Sequence, residues 1–438
     1  MKRISGAPEQ AQVIDLAHDG RGVARIEGKT VFVADTLPGE RIVLRRTRRH
    51  RNFDEAICEQ VLEASPERVE PRCPHFGTCG GCALQHASAQ AQVALKERQL
   101  LETLTRIGAV APLEVLPPLT GPTWGYRRRA RLGVKSVPKK GRVLVGFRER
   151  SAPYIADLHG CPVLAPPADA LIDPLAELIA HLTIATRIPQ VEVAVAEGAC
   201  ALVLRVLDPP APSDLEALAR FERSHGLQLF LQPGGPQSLY PLTPGGAPLS
   251  YSLPAFGVSI EFGPADFIQV NGELNARMVE RAVALLEPAP GQTVLDLFCG
   301  LGNFSLPLAR AGAGAEVVAV EGEESLVARA RANAERNGLP NVAFHVANLF
   351  EDVAGRPWAE RRYGRVLLDP PRAGAREVLP VVARSGAARV VYISCHPGSL
   401  ARDAGILVQE HGFRLSAAGV MDMFPHTTHV EAMAVFDR

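Results

Sequence analysis

From Phe267 onward the chain keeps one rhythm, in which a short apolar run, a loop and a helix signal recur. TVLDLF, EVVAVE, VAFHVA, RVLLDPP and RVVYIS are the apolar runs. Strands this apolar need cover on both faces, which predicts a mostly parallel sheet with helices packed on each side. No self-similarity at a period of about 20 to 50 residues is present, which argues against a solenoid.

That α/β unit occupies less than half of the chain. At 438 residues the whole is about three times a common domain of ~150, so two or three packed units are expected. Residues 12 to 64 hold alternating runs (QVIDLA, GVARI, KTVFVA, RIVLRR) separated by DG, EG and LPGE turn signals. The pattern fits a small antiparallel barrel, and a single antiparallel sheet fits it equally well. A cysteine-rich loop follows, then a helical segment near residues 87–107 with Val93, Leu100, Leu104 and Ile107 at helical spacing. Strand-like RARLGVK, RVLVGF and VEVAVAE and an amphipathic helix near Leu171 to Leu182 mark a mixed α+β middle. The expected units are 1–66, 67–265 and 266–438, with helix 87–108 free to pack on the last of them.

Hydrophobic residues at 47% and charged residues at 21% describe an ordinary globular chain. No apolar run approaches the roughly 20 residues that cross a bilayer, and MKRISGAPEQ lacks the apolar stretch of a secretory signal. A cytoplasmic location and a monomer are the expectation. Net charge is zero, but its distribution is uneven. Arg41 to Arg51 carries six arginines and no acid, and Arg127 to Arg150 carries ten basic residues against Glu149 alone. Such runs are often solvated faces; the excess of arginine, whose planar fork suits phosphate, tips the reading toward RNA.

In the α/β unit TVLDLFCGLGNFSLPLA reads as a strand, a glycine turn and a helix, so Gly300 and Gly302 let backbone approach a nucleotide at the sheet's C-terminal rim. The glycine pair alone fits a dinucleotide dehydrogenase too. Three further residues favour S-adenosylmethionine. Glu321 ends the next strand, where an acid binds ribose hydroxyls; Asn348 follows the third strand, suited to an adenine edge; Asp369 opens DPPR after the fourth.

FIQVN, DLFCGLGNF, LLDPPRAG, ISCHPGSLARD and DMFPHTTHVE occur here in this order, and in them the chain resembles the family of RNA uracil-C5 methyltransferases. Residues 23–40, VARIEGKTVFVADTLPGE with the basic strand after it, resemble a TRAM domain, a compact RNA-binding barrel. With the barrel and cysteine loop included, the resemblance covers essentially the whole chain. It implies a Rossmann-like methyltransferase domain in which Gln269, Phe298, Asn303, Glu321, Asn348 and Asp369 contact S-adenosylmethionine.

It also implies a nucleophile and a base. Uracil C5 accepts a methyl group only after a thiolate adds to C6 and pushes electron density onto it. Cys395, between VVYIS and the helix signal PGSLARD, is the expected nucleophile, with a pKa lowered by the helix N-terminus. Glu431 in PHTTHVE matches the family's base by motif. Cys58, Cys200 and Cys299 are expected to be packing residues, and His426 and His429 structural ones rather than a metal pair. The family commonly has asparagine after the nucleophile; His396 stands there, which bears on substrate contacts.

Cys73, Cys79 and Cys82 form Cys-x5-Cys-x2-Cys, and Cys161 follows in HGCPV. Four thiolates suit either a zinc ion or a 4Fe-4S cluster, and spacing alone leaves both open. The same cysteines occur in the 23S ribosomal RNA branch of the family, where they hold a 4Fe-4S cluster, so the resemblance favours iron-sulfur. The spacing differs from the Cys-x3-Cys-x2-Cys of radical enzymes, and a structural or RNA-folding role is expected. The implied partner is 23S ribosomal RNA, with a uridine flipped out of its stack. The rivals are a transfer RNA methyltransferase, whose branch generally lacks the barrel and cysteine loop, and a non-catalytic RNA-binding iron-sulfur protein.

Overall fold

The computed structural model describes residues 2–3, 6–312 and 315–438. Strands β1 (Lys2–Arg3), β2 (Glu9–Leu16), β3 (Gly22–Ile26), β4 (Lys29–Ala34), β5 (Arg41–Arg49) and β6 (Phe53–Glu63) pair in the order β1-β5-β2-β3-β4-β6, and a further β5–β6 pairing closes the sheet into a barrel. Alternate residues point inward, so Val13, Ala24, Val31, Val33, Ile42, Leu44 and Ala56 make its core. β4 runs parallel to β6, a departure from the all-antiparallel expectation. The reason is parity: β5, β2, β3, β4 and β6 make a ring of five, and five strands cannot alternate direction all the way round.

Much of the barrel's basic run is matched by acids. Arg41 pairs with Glu63 and Arg45 with Glu59, at 2.5 and 2.6 Å, and Arg48 pairs with Glu55 at 3.5 Å. Arg46, mostly buried, bonds both Glu9 and Asp54. The face is therefore less positive than its sequence suggests, because the acids sit on the neighbouring strands. Exposed pairs of this kind contribute roughly 0–1 kcal/mol each, so a phosphate can replace the carboxylate at little cost.

Helix α1 (Ala89–Thr103) begins at Ser88, whose hydroxyl accepts from the Ala91 amide at 3.1 Å. Its last turn widens into a π-turn, Leu104–Gly108, which rotates Ile107 out to 59% exposure and away from the stripe its spacing had suggested. Gly108 closes that turn against the helix Pro397–Gln409; a side chain there would strike the Ala401 carbonyl at 2.4 Å. The buried stripe of α1 instead carries two polar residues, Gln92 and Lys96, beside Leu95 and Leu100.

Next come β7 (Glu114–Val115), β8 (Arg129–Val137), β9 (Arg142–Gly146), α2 (Ile172–Ala180), β10 (Gln190–Ala196), β11 (Ala199–Arg205), α3 (Pro212–His225), β12 (Gln228–Gln232) and β13 (Tyr240–Pro241). All of these strands but β7 form a second sheet in the order β13-β12-β11-β10-β8-β9. Helices α2 and α3 cover one face through Leu175, Ile179, Leu218 and Phe221. Strands β14 (Leu249–Leu253) and β15 (Val258–Phe262) make a separate hairpin.

The remaining elements are α4 (Gly272–Leu286), β16 (Thr293–Leu297), α5 (Ser305–Ala311), β17 (Glu316–Glu321), α6 (Glu324–Arg336), β18 (Val342–Val346), β19 (Arg365–Leu368), α7 (Leu379–Arg384), β20 (Arg389–Ser394), α8 (Pro397–Gln409), β21 (Arg414–Met421) and β22 (Glu431–Asp437). They form an eight-stranded sheet, β18-β17-β16-β19-β20-β22-β21-β7, in which β22 alone runs antiparallel to its neighbours. Period-two alternation splits it between two cores. Val294, Val317, Leu367 and Val391 belong to the core that includes α4, while Leu295, Val318, Val366 and Val390 belong to the one that includes α8 and the end of α1. Both faces are thus covered, as the apolar runs predicted. No helix among the described residues is long and apolar enough to cross a membrane.

Candidate active site

β16 has β17 on one side and β19 on the other, so the chain order reverses there and a crevice opens beyond the strand ends. A cavity of about 570 Å³ fills that crevice. Each parallel strand delivers a side chain at or just past its C-terminus: Phe298 from β16, Glu321 from β17, Asn348 from β18, Asp369 from β19 and Cys395 from β20. β22 runs the other way, so its first residue, Glu431, reaches the same rim. Ser394 pairs with Ala432, which sets Cys395 and Glu431 one step beyond that pair, opposite each other.

Gln269 and Asn303 complete the set, and all eight residues singled out from the sequence line this one cavity. Phe298 adopts a left-handed φ of 67° at the start of the glycine turn and faces Phe350 across 5.7 Å. Gly300, at φ 53°, has open space where a side chain would be, and its amide donates to Glu321 at 3.1 Å. Asn303 is held by Asn275 and by the Tyr251 hydroxyl, at 3.0 and 2.9 Å, so its carboxamide orientation is fixed. Asn348 accepts from the Phe350 amide and donates to Glu351.

The electrostatics differ from expectation at the cysteine. Burial, then the charges of Glu431 and Asp369, push the Cys395 thiol up to about 11, while Arg372 acts the other way. The anticipated lowering by the helix is outweighed first by burial and then by the two carboxyls that share the thiol's pocket. Burial, with the charge of Asp369 adding to it, pushes Glu431, 7% exposed, up to about 8. Asp369 itself stands at about 7, raised by burial and by Asp296. The site collects acids that lack enough positive charge.

Sequence reasoning gave no role to two residues here, Arg372 and Tyr251, and read a third, His429, as structural. Arg372, the last residue of DPPR, brings the cavity's cation and donates to His429 Nδ1 at 3.1 Å. Tyr251 reaches the site from the β14 hairpin, with no motif to announce it. His429 lines the cavity wall, and burial lowers its pKa, so it stands neutral beside Arg372. His426 is buried among Trp124, Gln92 and backbone, with a pKa lowered to about 4 by burial. His396 is not among the residues that line the cavity: its Nδ1 accepts from the Ser399 amide at 3.1 Å and caps α8, a task asparagine performs as well.

Cys73, Cys79, Cys82 and Cys161 line a second cavity, of about 240 Å³, and His429 lines both cavities. Burial raises the Cys79 and Cys161 thiols and takes Cys82 to about 12, with the neighbouring cysteines adding to each shift. Among the described residues, no three His, Cys, Asp or Glu side chains stand so as to hold a single metal ion. Cys58, Cys200 and Cys299 lie outside this group, and burial raises each of them.

Sheet order, crevice and cavity together define an α/β methyltransferase fold. The tRNA (uracil-54, C5)-methyltransferase of Pyrococcus abyssi, solved with S-adenosyl-L-homocysteine, has the same fold, with a TM-score of 0.73 and 24% identity over 98% of this chain and 100% of that one. The family model for tRNA (Uracil-5-)-methyltransferase matches residues 258–438. The 23S rRNA (uracil(1939)-C(5))-methyltransferases RlmD of Alkalilimnicola ehrlichii and Xanthomonas euvesicatoria are each 52% identical to this chain, over all of it and 98% of theirs. That of Stenotrophomonas maltophilia is 50% identical over the same shares. The chain belongs to the family of these RlmD uracil-C5 methyltransferases.

Proposed function

We propose that this protein methylates C5 of a uridine in 23S ribosomal RNA, with S-adenosylmethionine as donor. The observation that carries the reading is the convergence of Cys395 and Glu431 on the cavity at the sheet's switch point. The cavity's size suits a nucleoside cofactor, and its surplus of carboxyl groups suits a cation. S-adenosylmethionine supplies an electrophilic methyl group on a positively charged sulfur. Gln269, Phe298, Asn303, Glu321, Asn348 and Asp369 are the residues that would hold it.

Cys395 adds as thiolate to C6, and the C5–C6 electron pair becomes available at C5. C5 takes the methyl group, and Glu431 then removes the C5 proton. The electrons of that C–H bond rebuild the C5–C6 double bond and expel the Cys395 thiolate. Arg372 faces the charge that collects among Cys395, Asp369 and Glu431. In the free site the two carboxyls favour their protonated forms, which become less favoured as pH rises from the ordinary carboxylate range through about 7 and about 8. A cationic donor reverses that preference and expels protons. S-adenosylmethionine affinity is therefore expected to rise on the order of 10-fold from pH ~6 to ~8.5, with proton release in calorimetry; an affinity flat with pH contradicts the charge reading.

The four cysteines would hold a 4Fe-4S cluster. An all-thiolate set around one cavity, without the tight grouping a single ion needs, supports a cluster over zinc. Its role here is to hold the loop that carries Cys73 to Cys82. The units 1–66, 67–265 and 266–438 serve as RNA-binding barrel, cluster domain and catalytic domain, acting as a monomer in the cytoplasm. Mapping 5-methyluridine in 23S and transfer RNA from cells with and without the protein tests the substrate. A loss confined to 23S RNA is expected, and a loss in transfer RNA alone overturns it. Protein purified without air is expected to carry iron, sulfide and broad visible absorption; zinc in their place overturns the cluster.

A further inference from the structure

β21 and β22 form a hairpin whose turn, residues 422–430, brings Phe424 and His429 to the cavity wall and ends in Glu431. The turn is gripped from outside the catalytic sheet. The His426 carbonyl accepts from the Ala83 and Leu84 amides at 2.8 and 3.0 Å, next to Cys82. The His426 amide donates to Gln92 Oε1 at 2.7 Å, and the Tyr126 hydroxyl donates to the Pro425 carbonyl at 3.0 Å. Lys96, one helical turn beyond Gln92, donates from Nζ to Asp422 Oδ1 at 2.6 Å and to the Phe424 carbonyl at 2.9 Å.

Lys96 is 1% exposed. Desolvating an ammonium costs so much that a buried ion pair adds little net stability over an apolar pair of the same size. The same stripe of α1 holds Leu95 and Leu100, so an apolar side chain would serve the packing. What an apolar residue cannot do is bind both the strand end at Asp422 and the carbonyl at Phe424.

We propose that Lys96 is a positioning residue for the second half of the reaction: it fixes the turn that ends in Glu431 and brings a positive charge to bear on that carboxylate. The charged and titratable groups around Glu431 are Asp369, which disfavours its ionisation, Arg372 and Lys96, which favour it, and the Cys395 thiol. Without Lys96 the carboxyl ionises at higher pH, and a smaller share of molecules holds a base at neutral pH.

The inference rests on Glu431 as the base that resolves the Cys395 adduct, so Glu431→Gln is run alongside. Lys96→Met breaks the pair and leaves Asp422 buried alone; Lys96→Met/Asp422→Asn removes both charges at nearly the same volume, which favours folding. Adduct formation and resolution on an RNA hairpin are followed by denaturing gel across pH, with S-adenosylmethionine affinity measured by calorimetry. In the double variant the adduct is expected to form, to resolve on the order of 10-fold to 100-fold more slowly, and to do so with a pH profile moved to higher pH at unchanged cofactor affinity. Resolution at the wild-type rate with an unmoved profile, while Glu431→Gln still holds the adduct, overturns the inference and leaves the base in place. Failure of Glu431→Gln to hold the adduct overturns both.

Discussion

Cys395→Ala is expected to abolish methyl transfer, by on the order of 10^4-fold to 10^6-fold, and to form no covalent complex with RNA. The loss is this large because the thiol does not assist a reaction that would proceed anyway; it creates the nucleophilic carbon. Cys299 also lines the cavity, but it is 3% exposed, and burial and nearby acids raise its pKa well above that of a free thiol, so it offers no substitute. Cofactor binding should survive, since the alanine removes one atom from a wall built mainly by other residues. A single-turnover assay with calorimetry separates the two, and substantial turnover in the alanine variant contradicts covalent catalysis at this position.

Glu431→Gln is expected to have the opposite effect on the adduct. Methyl transfer onto C5 needs no base, so the covalent species forms; its proton then has no acceptor, and release slows by on the order of 10^2-fold to 10^4-fold. Protein and RNA should run together on a denaturing gel with the methyl label aboard. Glutamine keeps the shape of the side chain, and because the wild-type carboxyl stands at about 8, much of the folded protein already carries a neutral group there at neutral pH. Gross unfolding is therefore not the expected result. A glutamine variant that turns over at the wild-type rate would move the base elsewhere.

The α/β sheet was legible because parallel strands write themselves as uninterrupted apolar runs, and the cavity was legible because each of those strands ends in a residue with distinct chemistry. Phe298, Glu321, Asn348, Asp369 and Cys395 need only the sheet to bring them together. What sequence left dark came from elsewhere in the chain. Tyr251 arrives on a hairpin far from the motifs, and Lys96 and Gln92 sit on a helix whose polar stripe looks like solvent-facing surface until the turn at 422–430 covers it. Charge was misjudged twice for one reason: local sequence shows a residue's own strand but not its neighbours. The arginines of β5 meet acids from adjoining strands, and Cys395 meets two carboxyls brought by β19 and β22. His396 shows the converse case, in which a departure from the family pattern has a plain structural role as a helix cap.

A 5-fluorouridine RNA tests the covalent step without any change to the protein. Fluorine at C5 permits thiolate addition and methyl transfer but cannot leave as a proton, so the complex should stop before Glu431 can act. Protease digestion and mass spectrometry are predicted to find the methylated fluoropyrimidine nucleotide on the peptide containing Cys395. No adduct, or one attached through a different residue, would contradict the mechanism from its first bond.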